Sequence, residues 1–198
     1  MSDEHSSVNE QALEQCMQLF WHQGYFNTSI DELVKTSGLS RAVIYKHFGG
    51  KEGFFVAMLK RYRKNLTSQF FAPLQKEQGL HALFAFFEQF IKLSEQGHMQ
   101  HGCFFIATAS ELPSHQRATK EVIEGFLGKL SALFYRALEY GKEHNQLNQS
   151  LDCQAASSFL VANIFGLFTL ARAVNNTDWV RNQIIMIKQF LGAYQTSS

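Results

Sequence analysis

Between Gly38 and Gly49 the chain carries Ser40, Arg41, Ala42, Tyr45, Lys46 and His47, and Lys51 follows just past the second glycine. A guanidinium, two ammoniums, an imidazole and a phenol crowd a segment of barely two helical turns, which is marginal as an isolated helix. Such a set suits a polyanion with readable edges. Arg41 fits guanine, and the Ala42 methyl fits against thymine in a major groove. Tyr45, Lys46, His47 and Lys51 suit phosphate, which fixes register without reading sequence. Thr28 and the open N–H groups of the helix it introduces could hold another phosphate. The competing reading is that Tyr45 and His47 simply pack a small core.

A second cluster, HMQHGC at 98–103, brings His98, His101 and Cys103 together. Imidazole and thiolate ligate zinc or copper. A complete site would need His81 or His115 brought in by folding, so no metal and no cofactor is assigned. Cys103 at the start of a helix could instead be a reactive thiol, favoured by the dipole, or an inert buried one. As an enzyme, the chain would pair Cys103 with His98 or His101 as nucleophile and base. Neighbours on a loop are not a triad, and no Gly-rich phosphate loop or paired catalytic carboxylates accompany them. The expectation is a protein that is not an enzyme.

The basic residues are concentrated. Residues 28–65 hold eight Lys/Arg against three acids, residues 1–27 hold four acids and no Lys/Arg, and the remainder is balanced, for a net +1. A basic block in the first third is what a nucleic-acid footprint looks like, although a solvated helical face gives the same pattern. The composition, 45% hydrophobic and 18% charged with only two prolines, is that of an all-α globular chain. MSDEHSSVNEQ has no apolar core for a signal peptide. The run FLVANIFGLFTLARAV at 159–174 is short for a bilayer span, and three cysteines do not suggest a disulfide framework. These features predict a soluble cytoplasmic protein without a membrane partner.

About nine helices position these groups. Leu13, Cys16, Met17, Phe20 and Trp21 recur at helical spacing, predicting a helix from Val8 to Gln23 that Gly24 stops. Thr28 is expected to cap a second helix, with Asp31 completing the box and Gly38 ending it. Ser40 caps a third, with Ile44 and Phe48 turned inward. The fourth opens at Lys51 and runs to about Phe71, before Pro73. Further helices are expected at 79–95, 103–112, 116–144, 152–174 and 178–194. Two helices joined by a glycine turn and packed by another form a helix-turn-helix unit.

The run GYFNTSIDELVKTSGLSRAVIYKHFGGKEGFF, 24–55, resembles the N-terminal domain of the TetR family of transcriptional repressors. The pattern matches at Gly24, Tyr25, Thr28, Ser29, Ile30, Val34, Ser37, Gly38, Leu39, Ser40, Ile44, Tyr45, His47, Phe48, Lys51 and Glu52. Gly50 and Gly53 depart from it, since relatives often carry polar or acidic residues there; a weaker cap on the fourth helix is expected. The resemblance implies a dimeric all-α repressor with a helix-turn-helix domain at 1–50 and a ligand-binding and dimerisation domain at 51–198, connected by the helix at 51–71. It carries phosphate contacts onto Thr28, Tyr45, His47 and Lys51, and base contacts onto Arg41 and Ala42.

The implied ligand pocket would be lined from Phe87, Phe126 and Phe165, with Phe90, Phe134 and Phe168 as further candidates, and with Asn163 facing a ligand or the second subunit. Core packing is the alternative for each phenylalanine. GCFFIATASEL also resembles the Gly-Cys-led sixth helix of family members, some of which sense electrophiles through a cysteine, here Cys103. The resemblance places the dimer interface on the last two helices, at Phe159, Ala162, Gly166, Ile184, Ile187 and Leu191, with an intrachain core as the alternative. The functional expectation is a regulator that binds double-stranded operator DNA as a homodimer and is released by a small hydrophobic or electrophilic ligand. The alternative is a small-molecule or metal-binding protein without specific DNA binding.

Overall fold

The computed structural model describes residues 10–174 and 176–196. Among these residues ten α-helices follow in chain order: α1 Glu10–Gln23, α2 Ile30–Ser37, α3 Arg41–Phe48, α4 Lys51–Gln69, α5 Ala72–Lys76, α6 Gly79–Glu95, α7 Phe104–Ser110, α8 Arg117–Glu143, α9 Cys153–Ala173 and α10 Thr177–Gly192. A 3-10 turn at Leu112–Ser114 joins α7 to α8. Among the described residues no strand forms; one isolated bridge pairs Leu147 with Gln195. Val8, expected to open the first helix, lies outside the described residues, as do the other residues of 1–9.

α5 was not expected. Pro73 read as a terminator, but it sits in the first turn of α5, where its missing N–H costs nothing. The cap of α2 is also shifted by one residue from the expectation. Ser29, not Thr28, accepts the N–H of Glu32 at 3.1 Å, and Glu32 reaches back to the Ser29 N–H at 2.7 Å. Glu32 has the arm length that Asp31 lacks.

The chain divides into two compact units. The first comprises the chain up to Arg63 together with Ala107–Ile123; the second comprises Lys64–Ile106 and the chain from Glu124 onward. The division differs from one at residue 50, because the early part of α4 and a segment from the second half of the sequence pack with α1–α3.

The first unit closes around Cys16, Met17, Phe20, Leu33, Ile44, Phe54, Phe55 and Leu59, all fully or almost fully buried. Phe20 meets Phe55 edge-on at 4.9 Å, and Phe48 lies 4.6 Å from Phe54. The second unit is filled with phenylalanine. Phe86, Phe87, Phe90 and Phe134 are fully buried, with Phe87 stacked on Phe134 at 5.8 Å and Phe105 on Phe126 at 4.1 Å. α9 runs 21 residues and is long and apolar enough by length and composition to cross a membrane, so the shortness of 159–174 is not an argument against a span. Its Leu160, Ile164 and Leu167 are buried in the second unit, as in a core helix.

Candidate nucleic-acid interface

The turn between α2 and α3 is built from local signals. Gly38 takes a left-handed φ of 70° and its N–H closes on the Val34 carbonyl at 3.0 Å. The Ser37 hydroxyl donates to the Leu33 carbonyl at 2.6 Å and accepts the Leu39 N–H at 3.2 Å, fixing the chain as it leaves α2. Ser40 then caps α3 by accepting the Val43 N–H at 3.3 Å. Gly49, again left-handed, ends α3 on the Tyr45 carbonyl.

Ile44 is fully buried and Phe48 half-buried against Phe54, which fixes the rotation of α3. Arg41, Ala42, Tyr45, Lys46 and His47 consequently stand exposed on a single short helix. Tyr45 is 58% exposed, so it does not pack the core, and its ring lies against Gly50, where a Cβ would sit 3.1 Å from it. Arg41 forms an ion pair with Asp31 of α2 that is open to solvent at both ends. Such a pair is worth little to stability and leaves the guanidinium available.

Gly53 has a role other than the one expected. A Cβ there would fall on the carbonyl oxygen of Phe48, so α4 can meet the end of α3 only with glycine at this position. The departure from the family pattern at Gly53 meets a packing requirement.

Lys51 is half-buried, with its ammonium 4.3 Å from the centroid of the Tyr25 ring. Burial lowers its pKa, opposed by the carboxylates of Glu32 and Glu52. Burial first, and then Glu52, pushes the Tyr25 phenol up to about 12. Arg61, part of the same basic block, is paired with Glu10 and Glu14 of α1.

Thr28 requires a correction. Its side chain is fully buried and its hydroxyl donates to the Gly24 carbonyl at 2.8 Å, so that hydroxyl is not on the surface to meet a phosphate. The exposed hydroxyl at the start of α2 belongs to Ser29. Sequence reasoning also passed over Tyr25 as the platform for Lys51, and His115, which packs against Tyr25 in this unit at 4.9 Å. A lone histidine in a short loop carries no sequence signal of that placement.

In the second unit, Phe87 and Phe126 are core residues packed against Phe134 and Phe105, whereas Phe165 is half-exposed. Asn163 is half-exposed and bonded within the chain: its amide donates to the Phe159 carbonyl at 2.8 Å and its side-chain oxygen accepts from Gln183 of α10 at 3.1 Å. A cleft of about 370 Å³ opens between α5 and α8, lined by Leu74, Glu77, Tyr135, Arg136, Glu139 and Tyr140.

Cys103 is buried, while His98 and His101 are exposed. No group of three or more His, Cys, Asp or Glu residues able to hold a metal occurs among the described residues. Cys16 and Cys153 are buried too, and burial pushes their thiols up to about 11 and about 12.

The expected dimer stripe divides in two. Ile184, Ile187 and Leu191 are buried within the chain's own second unit, where α10 packs on α6 and α9. Phe159 and Ala162 are exposed and Gly166 half-exposed. On α10 the outward apolar residues are Trp179, Ile185 and Met186. The period of an amphipathic helix with two apolar faces does not say which face is inward.

Two family models match the chain: "Bacterial regulatory proteins, tetR family" over residues 12–58, and "Tetracyclin repressor-like, C-terminal domain" over residues 79–184. The transcriptional repressor ComR of Escherichia coli (strain K12) is 32% identical over 103 residues, 51% of this chain and 49% of ComR. The chain thus spans about half the length of that relative. The repressor NemR of the same strain is 23% identical over 176 residues, 88% of either chain. The crystal structure of reduced NemR superposes with a TM-score of 0.81 over 92% of this chain and 96% of its own. A cysteine mutant of the TetR-family regulator CifR, complexed with 26-base-pair operator DNA, superposes with a TM-score of 0.74 at 18% identity, over 94% of this chain and 96% of its own. The C-terminal model alone takes in more than half of the chain, and the chain belongs to the TetR family of bacterial transcriptional regulators.

Proposed function

We propose that the protein is a repressor that binds operator DNA as a homodimer and is released by a small hydrophobic or electrophilic ligand. The observation that carries this reading is the simultaneous exposure of Arg41, Ala42, Tyr45, Lys46 and His47 on a short helix capped at both ends. α3 enters the major groove, with Arg41 and Ala42 on base edges. Tyr45, Lys46, His47 and Lys51 hold the phosphates, joined by Ser29 and the N-terminus of α2 in place of the Thr28 hydroxyl. The second copy covers the outward face of α9 and α10 at Phe159, Ala162, Trp179, Ile185 and Met186, an isologous contact. The alternative of a binding protein without DNA leaves the exposed cluster on α3 without a purpose. Relatives named as repressors support DNA binding, and CifR binds operator DNA.

Thiol modification is the second form of release, favoured by the cysteine at the entry to α7 and by relatives studied in a reduced form or as cysteine mutants. Because Cys103 is buried, its modification has to follow a local opening of the second unit. The test is fluorescence anisotropy of a labelled duplex from just upstream of the protein's own gene, with excess competitor, before and after a thiol-reactive electrophile. Specific binding that the electrophile abolishes in the wild type and not in Cys103→Ser supports repressor and thiol sensor together. Binding indifferent to the electrophile leaves a noncovalent ligand. A protein that selects no sequence from a random DNA pool is not a repressor.

A further inference from the structure

His115 follows the turn that joins α7 to α8, and its side chain is completely buried. It stacks on Phe55 at 5.3 Å with an interplanar angle of 11°, and lies 4.9 Å from Tyr25 and 5.2 Å from Phe26. Neither ring nitrogen has a hydrogen-bond partner among the described residues. A buried polar group left unsatisfied costs free energy and calls for an explanation.

The charged and titratable groups around it come from every element of the cage. Glu111, in the same turn, has a carboxylate oxygen 3.9 Å from Nε2. Lys51 and Glu52 face it from α4, Lys120 from α8, and Tyr25 from the α1–α2 connection. Burial holds the His115 pKa below its ordinary value against the pull of Glu52 and Glu111, with Lys120 and Lys51 adding to the depression. Near neutral pH the ring is uncharged. The Tyr25 ring beside it also carries the Lys51 ammonium.

We propose that His115 is a positioning residue for DNA binding: as a neutral ring it fixes Tyr25, and through Tyr25 the Lys51 ammonium, and a proton taken up from solvent loosens that grip. The inference rests on the reading of Lys51 as a phosphate contact. Protonation places a second cation beside a ring that already holds one. It also sets His115 in competition with Lys51 for the Glu52 carboxylate. The direction follows from the depression. The neutral ring's contribution is complete above the ordinary imidazole pKa of about 6.5 and is lost as pH falls from there through the lowered value.

The experiment measures the affinity of the full-length protein and of His115→Phe for one duplex, selected from a random pool by the wild type, from about pH 7.5 to about pH 5.5 at constant ionic strength. Phenylalanine fills the cage and takes no proton. The exposed His47 is present in both proteins, so its contribution is common to the two profiles. The expected result is a wild-type affinity that falls about threefold relative to the variant across this range, part of the tenfold that about one pKa unit of linkage gives below both pKa values. Superimposable profiles overturn the inference. Should the variant fail to fold, NMR titration of the His115 Cε1 proton in the wild type decides. By linkage its midpoint, already below the ordinary value, moves lower still when DNA is bound. An upward shift, or none, overturns the inference. Lys51→Ala separates the two levels. An unaltered salt dependence in that variant removes the phosphate reading itself. An altered salt dependence with superimposable pH profiles removes only the role of His115.

Discussion

In the first unit, α2 and α3 are eight residues each, held at both ends by serine caps and left-handed glycines. In the second, α6 and α9 run 17 and 21 residues, and the start of α6 has no side-chain cap of its own; Gln146 supplies one from elsewhere in the unit by accepting the Leu80 N–H at 3.0 Å. The first unit spends its side chains outward, so backbone geometry has to position its helices. The second turns its aromatic rings inward, so volume positions them. A DNA-reading surface needs polar groups at fixed places on thin elements, and caps deliver that where a large core cannot.

The comparison can be broken most severely in the second unit. Phe87→Ala removes a fully buried ring from the Phe86–Phe134 cluster and is expected to cost about 4 kcal/mol in denaturant unfolding. Next is Gly53→Ala in the first unit. One added methyl falls on the Phe48 carbonyl, and displacing α3 from α4 is expected to cost about 3 kcal/mol and most of the DNA affinity, with the far-UV helical signal retained. Anisotropy and circular dichroism on the same sample check both halves of that expectation.

Ser29→Ala is expected to cost about 1 kcal/mol by removing the box that starts α2. The smallest effect sharpens the comparison by pH. Hydrogen bonds from the Ser29 N–H and hydroxyl hold the exposed Glu32 carboxyl below its ordinary pKa. The support it gives α2 is therefore present above the ordinary carboxylate range and fades as pH drops through the lowered value. Amide exchange at the start of α2 should accelerate on that acid limb in the wild type and be insensitive to it in Glu32→Gln.

Legibility followed the same divide. Gly38, Ser40 and Gly49 act through their own backbone or immediate neighbours, so their places were readable and the helix-turn-helix followed. The cap at 28–29 slipped because Thr28 and Ser29 are both good caps and Asp31 and Glu32 both acids; the longer arm of Glu32 decided the register. Pro73 marks either an end or a beginning, and only the chain after it tells which. The phenylalanines were ambiguous in kind: the same residues line a cavity or fill it, and here Phe87 and Phe126 fill. The outward and inward stripes of α10 are both apolar, so its spacing could not distinguish Met186 from Ile187. His115 was legible only as a histidine, because its cage comes from segments far apart in the chain.

That last wall has a consequence for how the protein is made and dissected. A nascent chain that has just released Arg63 from the ribosome already owns α1, α2, α3 and the opening turns of α4, yet the residues that cover Phe55 and Tyr25 have not been translated. A DNA-binding fragment cut after Arg63 would carry the same deficit permanently, presenting bare aromatic rings where the intact chain lays His115.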